Sequence, residues 1–315
     1  MSAPSLDFDR PVPAGGYAWW YLDGLSDDGR HGITLIAFLG SVFSPYYASA
    51  RRQSALADPL AHCAVNVALY GAGAGCWAMT ERSARTVQRD ATRLAIGPSH
   101  LAWDGQALTV VVDEVTAPWP SRLRGTVKLT PHAWAGQRHP LDDAARHHWQ
   151  PLAPCAHIEV NFQQPGLRWS GEGYLDSNQG DRALENDFQR WHWSRASLAA
   201  GRETAVLYDV TPRHGSRAPL ALRFGRDGQV SPFAPPPLAT LPDSRWRVQR
   251  QTRSDAQAAA QVLQTLEDGP FYARSVVASH VLGQPVQAVH ESLCLDRFSA
   301  RWVQALLPFR MPRRA

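Results

Sequence analysis

In LAWDGQALTVVVDE, Asp104-Gly105 stands between two apolar runs, the strongest short-range signal a chain offers for a β-hairpin. The device recurs. YAWWYLDGL and HGITLIAFLG flank Asp27-Asp28-Gly29, and ALRFGRDGQVSPF turns at Asp227-Gly228. Further strands are predicted over 62–70, 123–130, 157–162, 167–173, 188–195, 205–210, 272–280 and 286–295. Strands this closely spaced, with turn residues between them, suggest antiparallel barrels or sandwiches, so the expected class is all-β. Twelve Trp, 24 Pro and 23 Gly beside only 19% charged residues point the same way. Two helices are expected, over 254–263 and 297–307, the second with Phe298, Trp302 and Leu306 on one apolar face. The proline-rich run 232–242 reads as an extended edge or loop crossing.

At 315 residues the chain is long enough for two domains. Gly and Asn accumulate in GEGYLDSNQGD, so the division is drawn there, giving domains 11–175 and 176–315. The net charge of +4 rests on scattered arginines, Lys128 being the sole lysine, which argues against a nucleic-acid partner. Cys63, Cys76, Cys155 and Cys294 show neither zinc-site nor disulfide-framework spacing, so no metal is expected and a reducing compartment fits. The N-terminus lacks the apolar core of a secretory signal. No window approaches the roughly 18–20 apolar residues of a spanning helix. There is no Rossmann fingerprint and no GxSxG elbow.

The segment 146–176 carries the chemistry. His147 and Trp149 are two residues apart, as are Tyr174 and Asp176, so in extended backbone each pair shares a face. An acid, an imidazole and two aromatic rings suffice to protonate a hydrocarbon and hold the resulting cation without a cofactor. Local alternatives stay open. Asp176 fits a turn with Asn178 and Gly180, His147 fits a core position, and His147, His148 and His157 form a weak zinc candidate. Glu172, Asp176, Glu185 and Asp187 offer a glycosidase pair beside abundant Trp. Trp19-Trp20, Trp191-His192-Trp193 and Tyr208-Asp209 form a second aromatic and acidic set, with Trp191 and Trp193 expected inward and His192 outward. The C-terminal ARWVQALLPFRMPRRA, with Arg310, Arg313 and Arg314, suits a docked helix or an anionic membrane surface.

Longer phrases add a resemblance. GGYAWWYLDGLSDDGRHGITLIAFLGSVFSPYYA, HCAVNVALYG, WAMTER, IGPSHLAWDG, FQRWHWSRA, AVLYDV, TLEDGPFYARS, HESLCLDRF and LLPFRMPR extend from about Pro11 to Arg313. Through them the chain resembles the acyclic carotenoid 1,2-hydratases, also called hydroxyneurosporene synthases. The resemblance implies two lipocalin-like antiparallel β domains and a carbon-oxygen lyase that adds water across the terminal C1=C2 bond of neurosporene or lycopene. It implies no cofactor, a phototrophic bacterial setting and a cytoplasmic enzyme peripherally associated with the inner or intracytoplasmic membrane. A histidine and tryptophan two apart, then a tyrosine and aspartate two apart, match His147, Trp149, Tyr174 and Asp176; His148, Tyr208 and Asp209 are near-matches. A non-catalytic lipid or carotenoid carrier of the same architecture is the alternative. For the hydratase, Asp176 must be a neutral acid. A free Asp of pKa about 3.9 is only about one part in a thousand protonated at pH 7, and a rise of about three units costs roughly 4 kcal/mol of differential solvation.

Overall fold

The computed structural model describes residues 5–71, 75–198, 201–255 and 259–314. The chain is all-β with few short helices and separates into two compact units, Met1–Ala183 with Ala305–Ala315, and Leu184–Gln304.

The first unit contains β1 (Tyr17–Ser26), β2 (His31–Leu39), β3 (Cys63–Gly71), β4 (Cys76–Arg82), β5 (Val87–Arg89), β6 (Arg93–Ile96), β7 (Ser99–Trp103), β8 (Leu108–Val115), β9 (Arg122–Pro131), β10 (His139–Pro140), β11 (His147–Gln164) and β12 (Leu167–Gly180). With the two-residue strand Arg313–Arg314 they form one sheet of thirteen strands. Its centre is ordered β4-β3-β2-β1-β12-β11-β9-β8. The hairpins expected at Asp27-Asp28-Gly29 and Asp104-Gly105 are β1–β2 and β7–β8.

Opposite faces of this sheet differ in chemistry. Ala18, Trp20 and Leu22 of β1, Leu35 and Ala37 of β2, Val65 and Val67 of β3, Ile158 and Val160 of β11 and Leu175 of β12 belong to one mainly aliphatic hydrophobic core. Tyr17, Trp19, Tyr21 and Asp23 alternate with the β1 set, so they point to the other face, and they too are buried. Burial on both faces explains why β1 reads as an almost unbroken apolar and aromatic run.

The division at 175/176 is not a break in the structure. β12 continues through it to Gly180, pairing with β1 from Gly171 to Gly180, so Asp176 belongs to the first unit and the unit boundary falls at Ala183/Leu184. The glycines of this segment serve close packing: a Cβ at Gly171 would collide with the Leu25 carbonyl oxygen, and one at Gly173 would lie 3.0 Å from Ile158 Cβ.

The second unit holds β13 (Phe188–Leu198), β14 (Glu203–Pro212), β15 (Leu220–Gly225), β16 (Val230–Pro232), β17 (Leu238–Leu241), β18 (Arg250–Arg253), β19 (Gln261–Asp268), β20 (Tyr272–Val281) and β21 (Gln284–Cys294). Seven of them form a sheet ordered β16-β15-β14-β13-β21-β20-β19, and β17 pairs with β18. The helix expected over 254–263 falls partly on 256–258, outside the described residues, and from Gln261 the chain is strand, paired with β20. The helix expected over 297–307 is two short ones, Leu295–Ser299 and Arg301–Leu306, separated at Ala300, whose ψ of 134° is extended. Its supposed apolar face divides accordingly: Phe298 is buried, whereas Trp302 and Leu306 are exposed. Among the described residues no helix is long and apolar enough to cross a membrane.

His192, expected to point outward, is buried, because β18 packs over its face of the sheet: the Gln251 carbonyl accepts from His290 Nε2 at 2.7 Å and Arg253 binds Asp209. His192 Nδ1 lies 3.0 Å from Ser292 Oγ, and the His192 and His290 rings stack at 6.1 Å. Burial drives both imidazoles down, His192 to about 4 and His290, further disfavoured by His192, to about 3. Both stay neutral when folded, whereas the unfolded chain protonates them near 6.5, so their contribution is present above about pH 6.5 and is lost as pH falls toward the folded values. Denaturant unfolding between pH 7 and 5 should therefore show stability falling by about 1.4 kcal/mol per pH unit for each histidine once below 6.5. In His192→Gln the slope should be roughly halved; an unchanged slope would contradict the assignment.

Candidate active site

Three neighbouring strands build the site through their register. On β12, Tyr174, Asp176, Asn178 and Gly180 share one face, and antiparallel pairing sets them opposite Asp23, Tyr21, Trp19 and Tyr17 of β1. On the other side of β12, His147 of β11 pairs with Gly180, Trp149 with Asn178 and Pro151 with Asp176. Beyond Pro151 the β11 register shifts in two irregular steps, and the regular pairing that places His147 and Trp149 precedes them.

The centre is the Asp176 carboxyl, 4% exposed. Its Oδ2 accepts from Trp149 Nε1 at 2.7 Å and from the Tyr174 hydroxyl at 2.8 Å. Trp149 and Tyr174 are fully buried. Burial first, and then the neighbouring Asp176 charge, hold the Tyr174 phenol well above its ordinary value, so it remains a donor. The indole N–H can only donate. Oδ2 is thus fixed as an acceptor, and a proton held by this carboxyl resides on Oδ1.

All four sequence candidates lie on this face, but not in mutual contact. His147 sits opposite Gly180, four residues along β12 from Asp176, and its Nδ1 shares a 3.0 Å hydrogen bond with the Tyr17 hydroxyl. Tyr17 in turn stacks on Trp19 with ring centroids 4.9 Å apart. The near-matches lie elsewhere. His148 alternates to the opposite side of β11, Tyr208 packs on Trp191 in the second unit, and Asp209 is held by Arg253. His157 is exposed, so it does not join His147 in a metal set.

Sequence reasoning missed Tyr17, Tyr21 and Asp23. The Tyr21 hydroxyl donates to Asp23 Oδ2 at 2.9 Å, and the Tyr21 ring meets that of Tyr174 edge-on at 6.1 Å. A signal was present: Tyr21-Leu22-Asp23 and Tyr174-Leu175-Asp176 are the same tripeptide. They face each other antiparallel, Tyr21 opposite Asp176, Leu22 opposite Leu175 and Asp23 opposite Tyr174.

Comparison with known proteins adds the following. The family model described as "Carotenoid hydratase CrtC" matches residues 35–315. An acyclic carotenoid 1,2-hydratase of Thiocapsa roseopersicina is 55% identical over 307 residues, 97% of this chain and 75% of that one. Its counterpart in Rubrivivax gelatinosus is 50% identical over 98% of this chain and 76% of its own length. Among solved structures, an AttH candidate from Nitrosomonas europaea superposes with a TM-score of 0.60 at 15% identity, covering 93% of this chain and 98% of its own. That last likeness concerns fold alone, and the fold is lipocalin-like.

Gly180 generates a prediction. A Cβ there would lie 2.6 Å from His147 Nδ1 and 2.5 Å from Tyr17 Cε1, so the Tyr17–His147 hydrogen bond bridges β12 only over a bare backbone. Gly180→Ala should lower stability by about 1–3 kcal/mol through overpacking and displace the His147 imidazole resonances in an NMR spectrum. Gly75→Ala, with nothing within 4 Å of the added Cβ, is the neutral control.

Proposed function

The chain belongs to the carotenoid hydratase CrtC family, and from that premise we propose that Asp176 is the acid of a cofactor-independent addition of water to the terminal C1=C2 bond of acyclic carotenoids. The protein is a carotenoid hydratase. The observation that carries the reading of the site is the convergence of Trp149 and Tyr174 on one oxygen of the buried Asp176 carboxyl.

The alkene demands a neutral acid, and two opposing effects decide whether Asp176 is one. Burial disfavours its charged form by up to about 3–5 pK units in fully enclosed sites, on the order of 4–7 kcal/mol. The donors favour the carboxylate, but a neutral carboxyl keeps accepting both bonds. Their preference is therefore only the difference between a charged acceptor, about 1.5–3 kcal/mol, and a neutral one, about 1 kcal/mol. In the proposed mechanism burial prevails and the carboxyl holds its proton. Asp176 Oδ1 then delivers its proton to C2, because the cation left at C1 is tertiary, and water adds at C1. The rings of Trp149 and Tyr174, anchored by their polar edges, offer π faces worth about 1–2 kcal/mol each to a desolvated cation. His147 hydrogen-bonds Tyr17 and lies four residue pairs from Asp176 along the sheet, a position suited to shaping the site rather than to holding the acid.

The addition is redox-neutral and its reverse eliminates water, so the enzyme class is carbon-oxygen lyase. The substrate resides in lipid. Peripheral contact with the membrane, taken to be on its cytoplasmic side, is part of this reading, and the exposed Phe309 beside Arg310 suits an anionic surface.

Incubation with lycopene in 18O-labelled water should yield a tertiary alcohol carrying the label, and Asp176→Asn should lower the rate at least 100-fold while the carotenoid is still bound. Wild-type turnover in that variant would remove Asp176 from the acid role. Binding without incorporation by the wild type would favour a carrier. Trp149→Phe, which keeps a ring and loses the N–H, should reduce kcat by about tenfold, a change of about 1.4 kcal/mol, and leave KM nearly unchanged.

A further inference from the structure

Hydration requires a second proton transfer. Once the C1–O bond has formed, the oxygen of the added water carries a positive charge and must lose a proton, and Asp176, having given its own to C2, is committed to the other carbon. The repeated Tyr-Leu-Asp tripeptide supplies a partner. Asp23 is fully buried on the same face of the sheet, on the adjacent strand, and diagonal to Asp176. Like Asp176 it accepts from the tyrosine two residues before it, here Tyr21 to Oδ2 at 2.9 Å.

Separation decides between Asp23 and the other titratable groups. Diagonal neighbours on paired strands lie about 7–8 Å apart at their Cα atoms. His147 and Glu172 each lie four residues from Asp176 along the sheet, on the order of 13 Å at about 3.3 Å per residue. Of these groups Asp23 stands nearest Asp176 by register, and among the groups facing it are Tyr21, Tyr174, Asp176 and, on β2, Thr34, whose hydroxyl accepts from Tyr70.

We propose that Asp23 is the general base that takes the proton of the added water, so that the two tripeptides divide the chemistry of one double bond between them. The step balances. The Asp176 O–H bond breaks as the alkene π pair forms the C2–H bond; a water lone pair forms the C1–O bond; the oxonium O–H bond breaks and its proton passes to the Asp23 carboxylate. One proton has moved from Asp176 to Asp23, and exchange with water restores both after the alcohol leaves. This inference rests on the reading of Asp176 as the acid.

Deuterium tests the two separately. In D2O, a variant able to protonate C2 but unable to deprotonate the oxonium lets the cation revert; C2 then carries one hydrogen and one deuterium, and rotation about C2–C3 that presents the hydrogen to the Asp176 carboxylate leaves deuterium at C2 of the recovered lycopene. Asp23→Asn should lose hydration 100-fold or more, within the range for a general base, while C2 exchange persists and carotenoid binding is retained. Asp176→Asn should lose exchange and hydration together. Wild-type hydration in Asp23→Asn, or parallel loss of exchange and hydration there, overturns the assignment of Asp23. Hydration surviving in Asp176→Asn overturns the acid reading instead, whatever Asp23→Asn does. Should Asp23→Asn not fold, Tyr21→Phe, which removes one hydroxyl from the Asp23 carboxyl, should show the same split in smaller measure; its absence is equally decisive.

Discussion

A carboxyl taken out of water must be held by donors or give up its charge, and the site is organised around that conflict at Asp176. Trp149 and Tyr174 resolve half of it by engaging a single oxygen, which fixes the group in orientation without obliging it to ionise. The rest of the site supports this arrangement. Trp149 is positioned from β11, packs on the His139 ring at 5.4 Å, and reaches along its strand past Asn178 to the carboxyl. Tyr174 is fixed on the carboxyl's own strand and braced by the Tyr21 ring.

Such a centre can exist because the sheet of the first unit keeps its two faces chemically apart. The aliphatic face supplies the driving force for folding. The aromatic and acidic face is buried as well, so its polar groups must find partners within the sheet, and the cross-strand register provides them: Tyr17 with His147, Tyr70 with Thr34. Bare backbone at Gly180 lets two side chains meet over β12, and at Gly171 it lets β1 approach.

Strand positions were legible in the sequence wherever an Asp-Gly turn separated periodic runs, as at Asp104-Gly105, because turn chemistry is local. The two-residue spacings of His147 with Trp149 and of Tyr174 with Asp176 were legible for the same reason. What escaped depended on partners distant in sequence. Nothing near Gly171 or Gly180 announces that those glycines face another backbone or two side chains rather than form a turn, so the segment looked like a boundary. His192 looked outward because the hairpin of β17 and β18, which covers it, lies some fifty residues further on. Asp23 stands in an apolar run whose role emerges only when β1 is laid beside β12, 155 residues later by the pairing of Tyr21 with Asp176.

The facing of Tyr-Leu-Asp on itself couples chemistry to the pleat. In an extended chain the side-chain alternation has a period of two, so loss or gain of one residue within Tyr17–Ser26 would swing Asp23 into the aliphatic interior and bring a leucine out beside Asp176. An insertion or deletion that preserves this facing must therefore fall in the connections between strands, where it leaves the spacing of the two carboxyls locked to the backbone's own repeat.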